Sequence, residues 1–279
     1  MNKIESKKLV EAFKNGKKIL IYDTETTGLD KVADVIVEYS AIVMERVNGK
    51  YQLTESFEQY IRPKFEMSED VIKIHGITNE FLRDYPYEEE AYKNIKAFLN
   101  KHKDAIISGY NQYSYDDLMM YNLSLRQGDL ISEHPSNYID VYSVVKENIF
   151  EKKRNLSAMH ALLCPNASSI QFHNSSDDIK ATWNVAVALY KRLSKAENTV
   201  KEKVIPTAFH WYEPGAGKKY LFVTVKKSDG TYTKVYYDVY YKTWKSKEID
   251  IESVDINDLE KKLDAERLNI NSHPSGKLV

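Results

Sequence analysis

Ile19-Leu20-Ile21-Tyr22-Asp23-Thr24-Glu25-Thr26-Thr27-Gly28 is the stretch around which the chain is organised. Its apolar run predicts a buried strand that ends by delivering two carboxylates, followed by a Thr-Thr-Gly turn. Residues i and i+2 of an extended chain point to one face, so Asp23 and Glu25 aim at a single spot where the apolar run stops. Two carboxylates forced together raise each other's pKa or need a cation between them. Oxygen-only acidic clusters suit Mg²⁺ or Mn²⁺. A lone D-x-E at a strand end is more commonly the start of a solvated acidic loop. The company these residues keep along the chain has to decide.

Residues 4–14 have helical apolar spacing and lead through Asn15-Gly16 into this strand. Residues 35–46 read as a second strand, Asn48-Gly49 as a two-residue hairpin turn, and residues 51–61 as a third strand stopped by Pro63. The chain therefore opens as an antiparallel meander. A short helical turn is expected at 68–75, with Thr78 capping another, and an amphipathic helix at 87–102. Residues 105–111 form a short buried strand, and a helix runs from about Asp116 to Gln127. A strand, or a strand–helix junction, is centred on Asp140, and helices are expected at 155–163 and 177–195. Strands alternating with helices after a meander imply an α/β fold with helices on both faces of a mixed sheet.

With 279 residues, 42% hydrophobic and 29% charged, the chain has material for one large or two smaller soluble domains. A net charge of −1 leaves any basic footprint local. The single cysteine, Cys164, excludes an intrachain disulfide and a thiolate zinc cage. A charged N-terminus and the lack of a long apolar run predict a cytoplasmic protein without membrane contact. Residues 196–206, charged and ending in Pro206, separate a domain at 1–200 from one at 207–279. The second is rich in aromatics, and at 209–247 its eight lysines against Glu213, Asp229 and Asp238 leave +5. Asp229-Gly230 marks a hairpin between two alternating runs, and an acidic, partly helical stretch follows. A small α+β domain is expected, its aromatics serving either as the sheet's own packing or as a stacking platform for single strands.

Further candidates sit at element ends. Asp116 or Asp117 opens the helix after the fourth strand, and His173 and Asp178 lie in a loop entering the last helix of the first domain. Alone, each would be a cap or a surface histidine. Together, and in this order, they resemble the DEDDh, or DnaQ-like, 3′→5′ exonucleases, the family of the proofreading epsilon subunit of bacterial DNA polymerase III and of bacterial exonuclease I. Asp23-Thr24-Glu25-Thr26-Thr27-Gly28 resembles the first family motif. Residues 74–82 resemble the epsilon-type segment that follows it, and Gly109-Tyr110-Asn111 through Tyr115-Asp116-Asp117 the second motif, with one residue more between Asn and Asp than in epsilon. His173-Asn174-Ser175-Ser176-Asp177-Asp178 fits the third, H-x-x-x-x-D. The resemblance covers about residues 17–195 and selects Asp116 and Asp178 over their neighbours, with Asp140 outside the metal set.

The resemblance implies an RNase H-like five-stranded mixed sheet flanked by helices. It also implies two Mg²⁺ or Mn²⁺ ions about 3.5–4 Å apart, held by Asp23, Glu25, Asp116 and Asp178. His173 would be the general base. Thr26, Thr27 and the turn amides at Gly28 would grip the 3′-terminal nucleotide and Leu29 would wedge against its base, with Asn111 in the same binding set. His75 would either pack its loop or stack on substrate, and Tyr115 would belong to the core. The implied activity is release of nucleoside 5′-monophosphates from the 3′ end of single-stranded DNA. The alternatives are the same chemistry on RNA, since sugar discrimination depends on pocket shape, and a catalytically silent nucleic-acid-binding module. A protein partner in a replication, repair or defence complex fits the same resemblance.

Overall fold

The computed structural model describes residues 4–131, 137–149, 151–167, 170, 172, 175–198, 201–265 and 276–277. The chain divides into two compact units, Met1–Leu193 and Ser194–Val279. In chain order the first contains α1 (Ile4–Lys14), β1 (Ile19–Thr26), β2 (Ile36–Val47), β3 (Lys50–Tyr60), α2 (Glu69–His75), α3 (Glu88–Lys101), β4 (Ile106–Gly109), α4 (Asp116–Arg126), β5 (Tyr138–Asp140), α5 (Val141–Asn148) and α6 (Leu156–Leu163). The long α7 (Ser175–Asn198) follows.

The five strands form one sheet in the order β3-β2-β1-β4-β5. β1 and β2, and β2 and β3, are antiparallel; β1, β4 and β5 are parallel. This is the expected RNase H-like arrangement. β1 reads as a continuous apolar run because both of its faces are covered. Ile19 and Ile21 enter a core with residues of α1, α5 and α7, whereas Leu20 and Tyr22 enter the opposite core with residues of α3 and α4. Each fully buried aliphatic side chain contributes about 1.5–3 kcal/mol of transfer free energy. Alternation continued past Tyr22 directs Asp23 and Glu25 to the α7 side and Thr24 to the α4 side. The end of β1 is therefore reached from both layers.

The parallel strands β1, β4 and β5 run in one direction, so their carboxyl ends, followed by the turns into α4 and α5, lie at one edge of the sheet. Two glycines there are set by close approach. A Cβ on Gly109 would lie 1.9 Å from Gln112 Cδ, and the Gln112 amide donates to the Tyr22 carbonyl from that position. A Cβ on Gly28 would lie 2.5 Å from Asp34 Oδ2, and Asp34 closes the loop after β1 through Thr27 Oγ1 at 2.7 Å and the Asp30 amide at 2.8 Å.

The second unit contains β6 (Ile205–Gly215), β7 (Lys218–Lys226), β8 (Tyr232–Asp238), β9 (Thr243–Ser246), α8 (Ile256–Ala265) and β10 (Gly276–Lys277). Its antiparallel sheet has the order β10-β6-β7-β8-β9. The hairpin at Asp229-Gly230 joins β7 to β8, and β6 and β9 extend the sheet beyond the two strands that alternation predicts. Pro206 stands inside β6 opposite Val225, next to a register shift, so this strand begins before the residue expected to close the connecting stretch. A proline is tolerated at a strand start beside a bulge, where its missing N–H costs no ladder bond. One face of this sheet packs Leu221, Val223 and Val235 against Leu259 and Leu263 of α8.

Candidate active site

Asp23, Glu25 and Asp178 each place one carboxylate oxygen so that the three atoms lie within 4.8 Å of one another. β1 supplies the first two as i and i+2, and the first turns of α7 supply the third. Asp116 joins from the opposite layer. As the first residue of α4 it is buried, and its Oδ1 accepts from the Thr24 amide at 3.2 Å and the Thr24 hydroxyl at 2.6 Å. Asp117, its neighbour, turns instead into the core and accepts from the Tyr22 hydroxyl. Thr24 thus separates two adjacent aspartates that the sequence presents as equivalents.

The electrostatics follow from this crowding. Burial, then Asp116, Glu25, Asp178 and Glu38, hold the Asp23 carboxyl well above the ordinary carboxylate range. Burial and the charges of Glu38, Asp178 and Asp116 push Glu25 up to about 8. Burial pushes Asp116 up to about 6, against the opposing hydrogen bonds from Thr24. An all-oxygen donor set in which Asp23, Glu25 and Asp116 resist ionisation fits a hard divalent cation, which would restore the ionised forms by compensating their charge.

Glu38 is the acid that pattern reading passes over. It lies directly opposite Glu25 in the β1–β2 register, 2% exposed, and accepts from the Ser40 hydroxyl at 3.0 Å. Ser40 in turn accepts from Ser175, the first residue of α7, at 2.8 Å. This buried chain ties the start of the helix that carries Asp178 to the strand beside Asp23 and Glu25. Its signal in the sequence is a charged residue inside the otherwise apolar run Ile36-Val37-Glu38-Tyr39.

The remaining candidates divide by what their side chains already do. Thr27 Oγ1 is committed to Asp34 and to the Val35 amide at 3.0 Å, and the Thr27 amide to the Val35 carbonyl. The Thr26 hydroxyl is bonded to the Gly28 carbonyl at 2.8 Å and to the Tyr115 hydroxyl at 2.7 Å. Tyr115 reaches the Gly28 carbonyl too, so besides packing on the α3–α4 core it pins the turn. Leu29, by contrast, is 86% exposed. His75 Nδ1 accepts the Ile77 amide at 3.0 Å, which puts the proton of the neutral ring on Nε2, turned toward the Thr26 backbone; burial lowers its pKa. Asn111 adopts a left-handed conformation with φ 63°, its amide held by Asp140 Oδ1 at 2.8 Å. Asp140 also caps α5 through the Tyr142 and Ser143 amides, a structural duty that accounts for its place outside the acid cluster. His173 lies outside the described residues.

The exonuclease family profile, of RNase T type, matches residues 20–186. The epsilon subunit of DNA polymerase III from Rickettsia felis is 32% identical over 172 residues, 61% of this chain and 72% of that protein. A PolC-type DNA polymerase III from Pediococcus pentosaceus is 37% identical over 113 residues, 40% of this chain, and the match spans only 7% of the polymerase. Among solved structures, exonuclease I superposes with a TM-score of 0.54 at 16% identity, covering 74% of this chain and 55% of that one. The zinc-bound complex of E. coli exonuclease I with single-stranded DNA gives 0.51 at 17%, covering 74% and 54%. Among the described residues no helix is long and apolar enough to cross a membrane.

Proposed function

This chain belongs to the exonuclease family, and we propose that it removes nucleotides one at a time from the 3′ end of single-stranded DNA. The observation that carries the reading is the convergence of Asp23, Glu25 and Asp178 within 4.8 Å, with Asp116 fixed beside them by Thr24. The choice of strand rests on the relatives: epsilon subunits belong to a DNA polymerase, and exonuclease I is known in complex with single-stranded DNA.

In this proposal Asp23, Glu25, Asp116 and Asp178 hold two Mg²⁺ or Mn²⁺ ions. Such ions would offset the negative charge of the scissile phosphate and stabilise both the attacking and the leaving oxygen. The protein's own residues do the rest. Glu25, bracketed by Glu38 and Asp178, orients the attacking water. His173 takes its proton as the water oxygen bonds to phosphorus. The bond from phosphorus to the 3′ oxygen breaks, that oxygen leaves with the shortened strand and is protonated to a 3′ hydroxyl, and a nucleoside 5′-monophosphate departs. Leu29, exposed at the turn, contacts the terminal base, and His75 and the Thr26–Gly28 turn form the wall beneath it.

Incubation with 5′-labelled single- and double-stranded DNA and RNA, with Mg²⁺ or Mn²⁺ and with EDTA, tests the reading. Stepwise shortening of single-stranded DNA that EDTA abolishes is expected. Faster shortening of the RNA of matched sequence would assign the chemistry to RNA, and no cleavage of any strand would refute the nuclease. A second expectation concerns His173→Ala: kcat falls about 10²–10⁴-fold while the Mn²⁺ concentration giving half-maximal rate stays put. Wild-type turnover in that variant would remove His173 as the base.

A further inference from the structure

The second unit has one closed sheet face and one open one. Leu221, Val223 and Val235 fill the closed face under α8 and are at most 2% exposed. On the other face His210 lies opposite Phe222, and Phe222 opposite Tyr236, one residue from each of three neighbouring strands. These three rings form a stack across the strands: His210 and Phe222 have centroids 5.1 Å apart at 7°, and Phe222 and Tyr236 5.1 Å apart at 29°. Tyr212 meets the edge of Phe222 at 6.1 Å and is itself 52% exposed. The three central rings, His210, Phe222 and Tyr236, are half-buried, whereas Leu221, Val223 and Val235 on the opposite face are buried under α8.

Cross-strand aromatic pairs stabilise a sheet, but that role does not call for a row of rings left partly exposed with an exposed Tyr212 at its edge. The charges around the row point to a polyanion. Lys226 and Lys234 are exposed on the same face, by register with Tyr232 and Thr224, and Lys245 lies opposite Tyr236. The acid of this face, Asp238, is buried and neutralised by Lys245 at 3.7 Å. A flat aromatic surface between cations matches a chain of stacking bases on a phosphate backbone, and matches neither an apolar helix nor an acidic peptide lacking rings.

We infer that this face, centred on His210, Phe222 and Tyr236 and built by the second unit's own strands, is a docking surface for single-stranded DNA. The inference rests on the proposed function only for its choice of DNA as the strand. Bases lie against the ring row, and Lys226 and Lys234 pair with phosphates at its margin.

Fluorescence anisotropy tests this with the full chain in EDTA, where no cleavage occurs, and a labelled oligothymidylate of about 20 nucleotides. Two variants are compared with wild type after circular dichroism has shown that each is folded: His210→Ala with Tyr236→Ala, and the surface pair Lys226→Glu with Lys234→Glu. The first is expected to weaken binding about 10–100-fold, the range of losing one stacked base. The second is expected to weaken it and flatten the salt dependence, by a slope of about 0.7 for each phosphate that is no longer neutralised. Both should hydrolyse the p-nitrophenyl ester of thymidine 5′-monophosphate, which presents a single base and no following strand, within about twofold of wild type. The ester reports on the acid cluster and anisotropy on this face, so failure of the nuclease reading and failure of this inference are distinguishable. Unchanged oligothymidylate affinity in both variants would overturn the inference, and tighter binding of oligouridylate than of oligothymidylate would overturn the assignment to DNA.

Discussion

Replacing Asp116 and Asp117 one at a time should produce opposite defects from adjacent residues. Asp116→Asn keeps an oxygen for the Thr24 hydroxyl, now 2.6 Å from Asp116, yet removes a charge from the acid cluster. Cleavage of labelled single-stranded DNA should fall by about 10³-fold or more, with the unfolding midpoint little changed. Asp117→Ala leaves the cluster intact and strands the buried Tyr22 hydroxyl. That variant should keep its cleavage rate and lose about 1–3 kcal/mol of stability, the cost of a buried polar group without its partner. Asp23→Ala or Asp178→Ala should abolish cleavage as Asp116→Asn does. In EDTA at alkaline pH either should unfold no earlier than wild type, because one repelling carboxylate is gone. Should Asp117→Ala be the inactive variant and Asp116→Asn the active one, the assignment of the second motif would be reversed.

The second large effect is a dependence of stability on pH that divalent cations remove. Glu25 ionises at about 8 in the folded chain and near the ordinary glutamate value of 4.5 when unfolded. Asp116, at about 6, and Asp23 are displaced in the same direction. Between those limits the folded state binds more protons than the unfolded one, so stability falls as pH rises. The contribution is fully present below the unfolded pKa and is lost as pH climbs through the folded value. For Glu25 alone this amounts to about 5 kcal/mol across the full window, at about 1.4 kcal/mol for each pH unit. In EDTA, chemical denaturation should therefore show a less stable protein at about pH 8 than at about pH 5. Saturating Mg²⁺ or Mn²⁺ should restore most of the difference at the higher pH and add little at the lower, where protons compete for the same oxygens. Equal stability at both pH values without cations would mean that the carboxylates are not crowded as the geometry has them.

Much of this architecture is legible in the chain. The apolar run at 19–22, the Asn48-Gly49 turn and the amphipathic spacing of α3 depend on local periodicity and turn chemistry, which any fold containing them must respect. Asp23 and Glu25 are legible as a pair for the same reason, because strand geometry alone puts i and i+2 on one face. Asp178 and Asp116 can be singled out only through the order and spacing of the family motifs, since each stands beside an equivalent aspartate. What separates Asp116 from Asp117 is Thr24, over ninety residues away along the chain, and no local pattern encodes that contact. Glu38 is harder to single out, because an acid within an apolar strand has no periodic signature. Its significance comes from lying opposite Glu25 across an antiparallel pair.

The second unit shows the same limit more sharply. Aromatic and lysine content marks residues 209–247 as unusual, yet composition is indifferent to which side of a sheet a ring occupies. Register and the seating of α8 decide that Trp211 and Tyr237 close the core while His210, Phe222 and Tyr236 stay open. By itself, then, the amino-acid order determined the elements, the mixed sheet and the residue types able to hold a hard cation, because those follow from interactions within a few positions. Tertiary structure alone decided which carboxylates meet, which threonine holds which aspartate and which aromatic face remains open, because burial and charge repulsion act through space between residues that the chain keeps far apart.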